Sequence, residues 1–322
     1  MTNRPNGPNS DLLGLLSPIL AGRGHEESYL IAERQANPRS HTYWSEFVTL
    51  RFDSRPDLRI FCKYYDGSSH RDLGHGHRGG LRYEVDVYRS VLSGFDVTLP
   101  VFLGASYNDN SGETLLVLDS IDGAVKVTKA PEWKDRMHEA AQWLGRFHRL
   151  GGASDERDWA GTLMRYDSDY YRGWPERARV LARPFRSRFP GFEESCAAFG
   201  ESIDTLLSLA PTLIHGKFYP KEVLVAGGAI YPVDWESAAM APGVIDLAMF
   251  IDGWGPTAEP WIDAYCEARW AREIPNGFES ALRAARLYVH MRWLGDFDEL
   301  TSQQAVNPWR FEEVRKLVGQ MG

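Results

Sequence analysis

The chain has 322 residues, of which 43% are hydrophobic and 25% are charged, as in an ordinary folded globular protein. A chain of this length is typical of two lobes rather than of one core or three domains. The formal net charge of −8 excludes a general nucleic-acid binder, because such proteins need a cationic surface to displace counterions. Cys62, Cys196 and Cys266 are widely spaced, which is typical of reduced thiols in a cytosolic protein.

Residues 1–24 are rich in Asn, Pro, Gly and Ser, which predicts a flexible tail. Their apolar stretch, residues 12–20, is interrupted by Gly14 and Pro18 and has no basic lead-in, unlike a signal peptide. A bilayer-spanning helix needs a run of about 18 apolar residues, which the sequence lacks. We therefore expect a cytoplasmic protein that does not engage a membrane.

The next part of the chain reads mainly as sheet. Residues 47–52 and 58–63 are rich in β-branched and aromatic side chains on either side of a turn, which predicts an antiparallel hairpin. Residues 81–92 carry apolar side chains at helical spacing. Residues 100–103 and 114–118 flank a second turn and predict a second hairpin.

After residue 120 the pattern becomes helical. Residues 137–147 and 282–294 each carry an apolar stripe at helical spacing. Segment 213–236 is an exception, because two apolar runs in it flank Gly227 and Gly228 and predict a short hairpin.

The fold class that these patterns predict is α+β. We expect an antiparallel-sheet N-lobe over residues 25–120 and a mainly helical C-lobe over residues 121–322, with a ligand in the cleft between the two lobes.

Polar side chains cluster at both ends of the 213–236 hairpin. His215-Gly216-Lys217 precedes it, Glu222 follows Lys217 by five residues, and Asp234 comes after its second strand. Two N-lobe residues, Lys63 on a strand and Glu84 on the following helix, complete the set of candidates. The C-lobe segments that carry the pattern are residues 213–225, 231–239 and 243–248.

Together these segments resemble the aminoglycoside-phosphotransferase and choline-kinase branch of the protein-kinase-like fold. That branch is marked by His-Gly-Asp, an Asn five residues later, a hairpin and then an Asp. The resemblance extends over roughly residues 40–300 in order and spacing. It implies a bilobal fold that binds ATP, or another nucleoside triphosphate, together with Mg²⁺.

The resemblance also implies a role for each candidate residue. Lys63 would hold the nucleotide phosphates and Glu84 would hold Lys63, while Asp234 and Glu222 would bind Mg²⁺ through carboxylate oxygens. The same pattern also implies residues that support the catalytic loop and residues that bind adenine. His215 and Asp246 would support the catalytic loop, and backbone groups from Val117 to Asp119 would meet the adenine edge.

Lys217 departs from this pattern, because it stands where the family has its Asp base. An ammonium has no lone pair with which to accept a proton at neutral pH. Two roles stay open for Lys217. It neutralises charge on the γ-phosphoryl group while Glu222 or Glu236 accepts the proton, or it pairs with Asp234 or Glu222 and fills the metal site with its own cation.

Three further features carry less weight. A glycine-rich phosphate loop is absent, so residues 35–44 would have to cover the phosphates with Ser40, His41 and Thr42. The next group is a possible metal set that we interpret as a mobile, solvated loop: His70, Asp72, His75 and His77. The last is a basic run that would receive an acidic acceptor or a partner chain, or else forms a solvated helical face: Arg172, Arg177, Arg179, Arg183, Arg186 and Arg188.

Three functions remain compatible with the sequence. The first is an ATP- and Mg²⁺-dependent phosphotransferase acting on a hydroxyl of a small molecule. The second is a pseudokinase that binds a nucleotide or a partner enzyme, as the replacement of the base by Lys217 suggests. The third is a peptide Ser/Thr kinase in modified-peptide biosynthesis. Fold analogy alone does not choose among these acceptors.

Overall fold

The computed structural model describes residues 9–38, 43–67, 75–152, 161–271, 273–297, 300 and 308–320. The chain divides into two compact units. The first consists of Met1–Arg71, Gly80–Gly94 and Thr98–Ala124, and the second of Asp72–Gly79, Phe95–Val97 and Val125–Gly322. The main boundary therefore lies four residues beyond the predicted one at residue 120, and two short segments of the predicted N-lobe belong to the second unit.

The first unit contains a five-stranded antiparallel sheet with strand order β1-β2-β3-β5-β4. Its strands are β1 (Tyr29–Ala36), β2 (Trp44–Phe52), β3 (Leu58–Tyr65), β4 (Phe102–Tyr107) and β5 (Thr114–Asp119). Both predicted strand pairs, β2 with β3 and β4 with β5, are confirmed. Strand β1 was not predicted, because polar Glu33, Arg34 and Gln35 interrupt its apolar pattern and it is largely exposed.

The flexible tail predicted over residues 1–24 is wrong for residues 9–21, which form helix α1 (Asn9–Ala21). Leu12, Leu16 and Leu20 follow one another at a spacing of four, so they share one face of the helix. All three are buried in the apolar core that also contains strands β2, β3 and β5. This burial outweighs the helix-breaking tendencies of Gly14 and Pro18.

The helix predicted over residues 81–92 has three parts. Helix α2 (Gly80–Asp86) is α-helical, residues Val87–Val91 form a π-helical turn, and Leu92–Gly94 form a 3₁₀ turn. Leu81, Val85, Tyr88 and Leu92 are all buried, as the spacing predicted.

The second unit is mainly helical. Its helices are α3 (Trp133–Gly151), α4 (Ser168–Leu181), α5 (Phe192–Leu207), α6 (Val244–Phe250), α7 (Glu259–Trp270), α8 (Phe278–Gly295) and α9 (Pro308–Gly319). Helix α8 packs against α4, α5, α6 and α9, while α3 packs against α7. The two predicted apolar stripes lie on α3 and α8, and their residues are buried except for Trp293, which is half-buried.

Short strands carry the polar segment of this unit. They are β6 (Val125–Lys126), β7 (Met164–Arg165), β8 (Pro211–Ile214), β9 (Val223–Ala226), β10 (Ala229–Pro232) and β11 (Ala239–Pro242), in two sheets of order β10-β9-β6 and β7-β11-β8. The predicted hairpin is confirmed by the pairing of β9 with β10. Gly227 and Gly228 have φ of 55° and 81°, the positive values that a tight two-residue turn needs.

Candidate active site

In the first unit, strand β3 and helix α2 bring Lys63 and Glu84 together. The Lys63 ammonium lies 2.6 Å from Glu84 Oε2, and the exposed fractions of the two side chains are 11% and 2%. The ring of Tyr43 lies 5.0 Å from the same ammonium. The carboxylate of Glu84 therefore fixes the direction in which this buried ammonium points.

The adenine-edge assignment is wrong for Val117 and does not fit the N–H group of Asp119. Val117 lies inside β5, opposite Cys62 on one side and Gly104 on the other, so the sheet uses its backbone groups. The N–H group of Asp119 donates to the Val101 carbonyl at 2.9 Å. The apolar, β-branched pattern that located the strand could not show which of its groups the neighbouring strands use.

In the second unit, the loop after β8 carries His215, Gly216 and Lys217. Gly216 has φ of 75°, and a Cβ atom there would lie 2.0 Å from the carbonyl oxygen of Ser237. Only glycine fits this position without a large shift of backbone. In this conformation of the loop, the ammonium of Lys217 reaches Asp234 and Glu236, just after the β9–β10 hairpin.

Asp246, at the start of α6, fixes this loop through its backbone. Its carboxylate accepts the N–H of His215 at 2.6 Å and the N–H of Gly216 at 2.9 Å. The His215 ring lies 3.0 Å from the Val233 carbonyl, and its Nδ1 accepts the N–H of Lys217 at 3.2 Å. Both residues thus hold the loop in place, and neither is arranged as a proton acceptor for a substrate.

Two residues that sequence reasoning missed complete this support. His148 on α3 contacts Asp246 at 3.2 Å, and Arg292 on α8 donates to the Gly216 carbonyl at 3.1 Å. Arg292 also donates to the hydroxyl of Tyr219 at 2.8 Å. Each is a polar residue on the apolar stripe of a buried helix, and that interruption is the signal that could have revealed them.

The ammonium of Lys217 lies between two carboxylates. It is 3.0 Å from Asp234 Oδ2 and 2.9 Å from Glu236 Oε1. Burial lowers the pKa of Lys217, but the charges of Asp234, Glu236 and Glu222 outweigh it and the pKa is raised well above its usual value. Lys217 is therefore a permanent cation and cannot act as a base.

The base of the hairpin positions the remaining carboxylates. Glu222 precedes β9 and Val233 follows β10. The Val233 N–H donates to the Glu222 carbonyl at 2.9 Å, and this bond places Asp234 close to Glu222 at the open end of the hairpin. Asp234 itself has φ of 70°, a conformation uncommon for residues other than glycine. Burial, and then the charge of Asp234, raise the pKa of Glu222.

The Mg²⁺ site predicted at Asp234 and Glu222 does not fit this arrangement. Asp234 is already held by the ammonium of Lys217 at 3.0 Å. Two unit charges about 4 Å apart repel by about 4 kcal/mol at an effective dielectric constant near 20, and a divalent cation beside an ammonium would face about twice that.

The other predicted features have ordinary structural roles where the structure describes them. The interpretation of the histidine-rich segment as a solvated loop is wrong for His77, which is buried 3.5 Å from Asp296, and His75 stacks on the ring of Tyr170. His70 and Asp72, like Ser40, His41 and Thr42, lie outside the described residues.

Three members of the basic run bind within the second unit. The contacts are Arg172 with Asp169 at 3.5 Å, Arg177 with the Gly295 carbonyl at 2.9 Å and Arg179 with Glu193 at 2.8 Å. The side chains of Arg186 and Arg188 are outside the described part of the chain.

The sequence was compared with models of known families. Residues 75–279, more than half of the chain, match the model of the phosphotransferase enzyme family. The chain belongs to this family. A search of curated proteins found no match.

Solved structures of phosphotransferases share the fold. The GDP complex of an aminoglycoside 2'-phosphotransferase-IIIa mutant is 12% identical, with a TM-score of 0.62 over 95% of this chain and 96% of that one. Choline kinase from Cryptosporidium parvum is 14% identical, with a TM-score of 0.61 over 98% and 96%. A putative fructosamine-3-kinase from Haemophilus somnus is 14% identical, with a TM-score of 0.58 over 96% and 97%. The predicted protein-kinase-like fold, with an antiparallel sheet and a mainly helical part, is thereby confirmed.

In the part of the chain that the structure describes, no helix has the length and apolar character needed to cross a bilayer.

Proposed function

We propose that this member of the phosphotransferase enzyme family uses a nucleoside triphosphate to phosphorylate a hydroxyl group of a small molecule. The observation that carries the proposal is the buried Lys63–Glu84 pair, with its ammonium 2.6 Å from Glu84 Oε2. Solved structures of similar fold contain GDP or ADP, which supports a nucleotide as the ligand of this chain as well. Both ATP and GTP satisfy this argument.

The proposed chemistry relies on positioning and on fixed positive charge. Lys63 would hold the nucleotide phosphates, and Glu84 keeps its ammonium oriented. Lys217, fixed by Asp234 and Glu236, would neutralise charge that develops on the γ-phosphoryl group. Positioning and electrostatic stabilisation supply most of the catalysis in phosphoryl transfer, so such a site retains the larger part of the rate enhancement.

Glu222 is the proton acceptor that the geometry favours. The acceptor oxygen bonds to the γ-phosphorus, the bond from that phosphorus to the nucleoside diphosphate breaks, and the hydroxyl proton passes to the Glu222 carboxylate. Its side chain is 20% exposed and its pKa is raised, which brings it closer to the working pH of a general base. Glu236 is only 1% exposed and one of its oxygens binds Lys217, so an acceptor cannot reach it as readily.

Nucleotide binding and transfer test the proposal separately. Calorimetry on the native chain should detect ATP or GTP binding that Lys63→Met weakens. Glu222→Gln should bind nucleotide with native affinity and lose about 10²–10⁴-fold in turnover with a panel of hydroxyl acceptors. The control is Lys316→Met on α9, because the side chain of Lys316 is 58% exposed and pairs with Glu313 rather than with Glu222. Absence of binding to any nucleoside triphosphate would contradict the proposal.

A specific observation favours a second candidate, a pseudokinase that binds a nucleotide without transferring its phosphate. Two carboxylates hold the ammonium of Lys217 in place, and the family resemblance implies a catalytic base at this position. Nucleotide binding without transfer to small-molecule acceptors, to Ser- or Thr-containing peptides or to water would support this candidate. Transfer to a peptide alone would instead indicate a peptide kinase.

A further inference from the structure

The contacts of Lys217 are those of an ion bound by a pair of carboxylates. Its Nζ atom lies 3.0 Å from Asp234 Oδ2 and 2.9 Å from Glu236 Oε1, and its side chain is 11% exposed. The two carboxylates come from the turn that follows strand β10, whereas the ammonium comes from the loop after β8. The positive charge between Asp234 and Glu236 therefore belongs to a side chain of the protein, Lys217.

The ammonium is held rigidly in this position. The backbone N–H of Lys217 donates to His215 Nδ1 at 3.2 Å, and its neighbour Gly216 is fixed by Asp246 and Arg292. A lysine on an exposed, mobile loop would exchange with a metal ion at low cost. Here the loop conformation leaves Lys217 little freedom to move away.

Glu236 depends on this lysine. The carboxylate is buried, Lys217 donates to its Oε1, and within the described part of the chain its Oε2 accepts no hydrogen bond. A buried carboxylate without a cation or a donor is costly. Removal of the ammonium would take a positive charge away from the neighbouring carboxylates of Glu236 and Asp234, and carboxylate oxygens are ligands that attract a divalent metal ion.

We infer that Lys217 takes the place of a divalent cation at Asp234, so that this chain binds its nucleotide without Mg²⁺. The part of this inference that concerns the nucleotide rests on the proposed function. The exclusion of a metal from Asp234 rests on the contacts of Lys217 alone. Lys217 and Glu222 are the two residues that depart from the family pattern. They act together, because the Glu222 carboxylate contributes to stabilising the ammonium of Lys217.

Manganese binding to the nucleotide-free protein tests the exclusion directly. Free Mn²⁺ is measured by electron paramagnetic resonance in the native protein, in Lys217→Met and in Lys316→Met. We expect Lys217→Met to bind Mn²⁺ at least about tenfold more tightly than the native protein, since it removes the competing charge. Lys316→Met, which removes an exposed lysine paired with Glu313, should match the native protein, and adding Asp234→Asn to Lys217→Met should abolish the gain.

Two results would overturn the inference. One is Mn²⁺ binding by the native protein that Asp234→Asn abolishes, and the other is a folded Lys217→Met variant that gains no affinity for the metal. If Lys217→Met does not fold, the native protein and Asp234→Asn decide the matter: absence of binding by the native protein supports the exclusion. Failure of the native protein to bind nucleotide would contradict the proposed function and leave the Mn²⁺ comparison intact.

Discussion

Two buried lysines, one in each unit, define the candidate chemistry of this chain, and they differ in their partners. Lys63 binds Glu84 at 2.6 Å, whereas Lys217 binds Asp234 and Glu236 at 3.0 and 2.9 Å. The side chains of both lysines are 11% exposed, so burial does not distinguish them. Lys217 is distinguished by the charges of Asp234, Glu236 and Glu222, which together raise its pKa.

The two lysines have different roles in the proposed function. Lys63 on strand β3 would hold the nucleotide phosphates. Lys217 lies between two carboxylates, with Glu222 also contributing, and this locally anionic environment keeps it charged. Under the proposal, Lys217 therefore supplies a fixed positive charge and does not accept a proton.

Restoring the family pattern should give the largest effect. The double variant Lys217→Asp/Glu222→Asn moves the base from position 222 to position 217, removes the ammonium and supplies an amide ligand, so we expect its turnover to become dependent on Mg²⁺. Single-turnover transfer from radiolabelled nucleotide, with and without Mg²⁺, measures this. Lys217→Met serves as the control, because it removes the ammonium without moving the base. Turnover of the double variant that does not depend on Mg²⁺ would contradict this expectation.

A substitution at Gly216 tests the conformation of the loop that carries Lys217. Gly216→Ala places a Cβ atom 2.0 Å from the Ser237 carbonyl oxygen. We expect it to lower the free energy of unfolding by about 4 kcal/mol or more. Gly228→Ala is the matched control, because Gly228 also has positive φ, 81°, but has no atom within 4 Å of the added Cβ. It should cost about 1–2 kcal/mol, and urea unfolding that shows equal losses would contradict this account.

The pair in the first unit is tested by removing one partner. Lys63→Met removes the cation beside the buried carboxylate of Glu84, which should lower the free energy of unfolding by about 3–5 kcal/mol. Arg82→Met breaks an exposed pair, Arg82–Asp109, whose side chains are 63% and 79% exposed, and is the control. Exposed pairs contribute about 0–1 kcal/mol, so thermal unfolding should hardly change. A small effect of Lys63→Met would mean that Glu84 finds water or another partner.

The support of the loop should make stability depend on pH. Burial lowers the pKa of His148 from 6.5 to about 4. The unfolded chain therefore binds a proton that the folded chain does not between these values, and stability falls as the pH drops from about 6.5 towards 4. The contribution is about 3 kcal/mol at most. His148→Gln should flatten the slope of unfolding free energy against pH in this window, and an unchanged slope would exclude His148 as its source.

The sequence predicted much of this site because the family pattern follows the chain locally. The β9–β10 hairpin, the Lys63–Glu84 pair and the role of Asp246 all depend on residues close to a recognisable turn, strand or helix start. It left the partners of Lys217 open, because Glu222, Asp234 and Glu236 are all within reach of a long side chain. Only the backbone of Gly216 decides which of them the ammonium meets.

Other features depended on distant packing and were missed for that reason. Helix α1 forms because Leu12, Leu16 and Leu20 are buried against a sheet whose strands lie far along the chain. His148 on α3 contacts Asp246, and Arg292 on α8 contacts the loop after β8, although both residues lie far from the loop along the chain. Composition and local periodicity do not predict such contacts, because the contacts join residues that are far apart in the sequence.

The most direct test of the central claim is the affinity of the native protein for ATP, measured by calorimetry in EDTA and again in excess Mg²⁺. If the ammonium of Lys217 replaces the metal, the two dissociation constants should agree to within about threefold, since no metal ligand has to be filled. Binding that appears only with Mg²⁺ and is lost in Asp234→Asn would contradict the account, because Asp234 would then bind the metal despite Lys217.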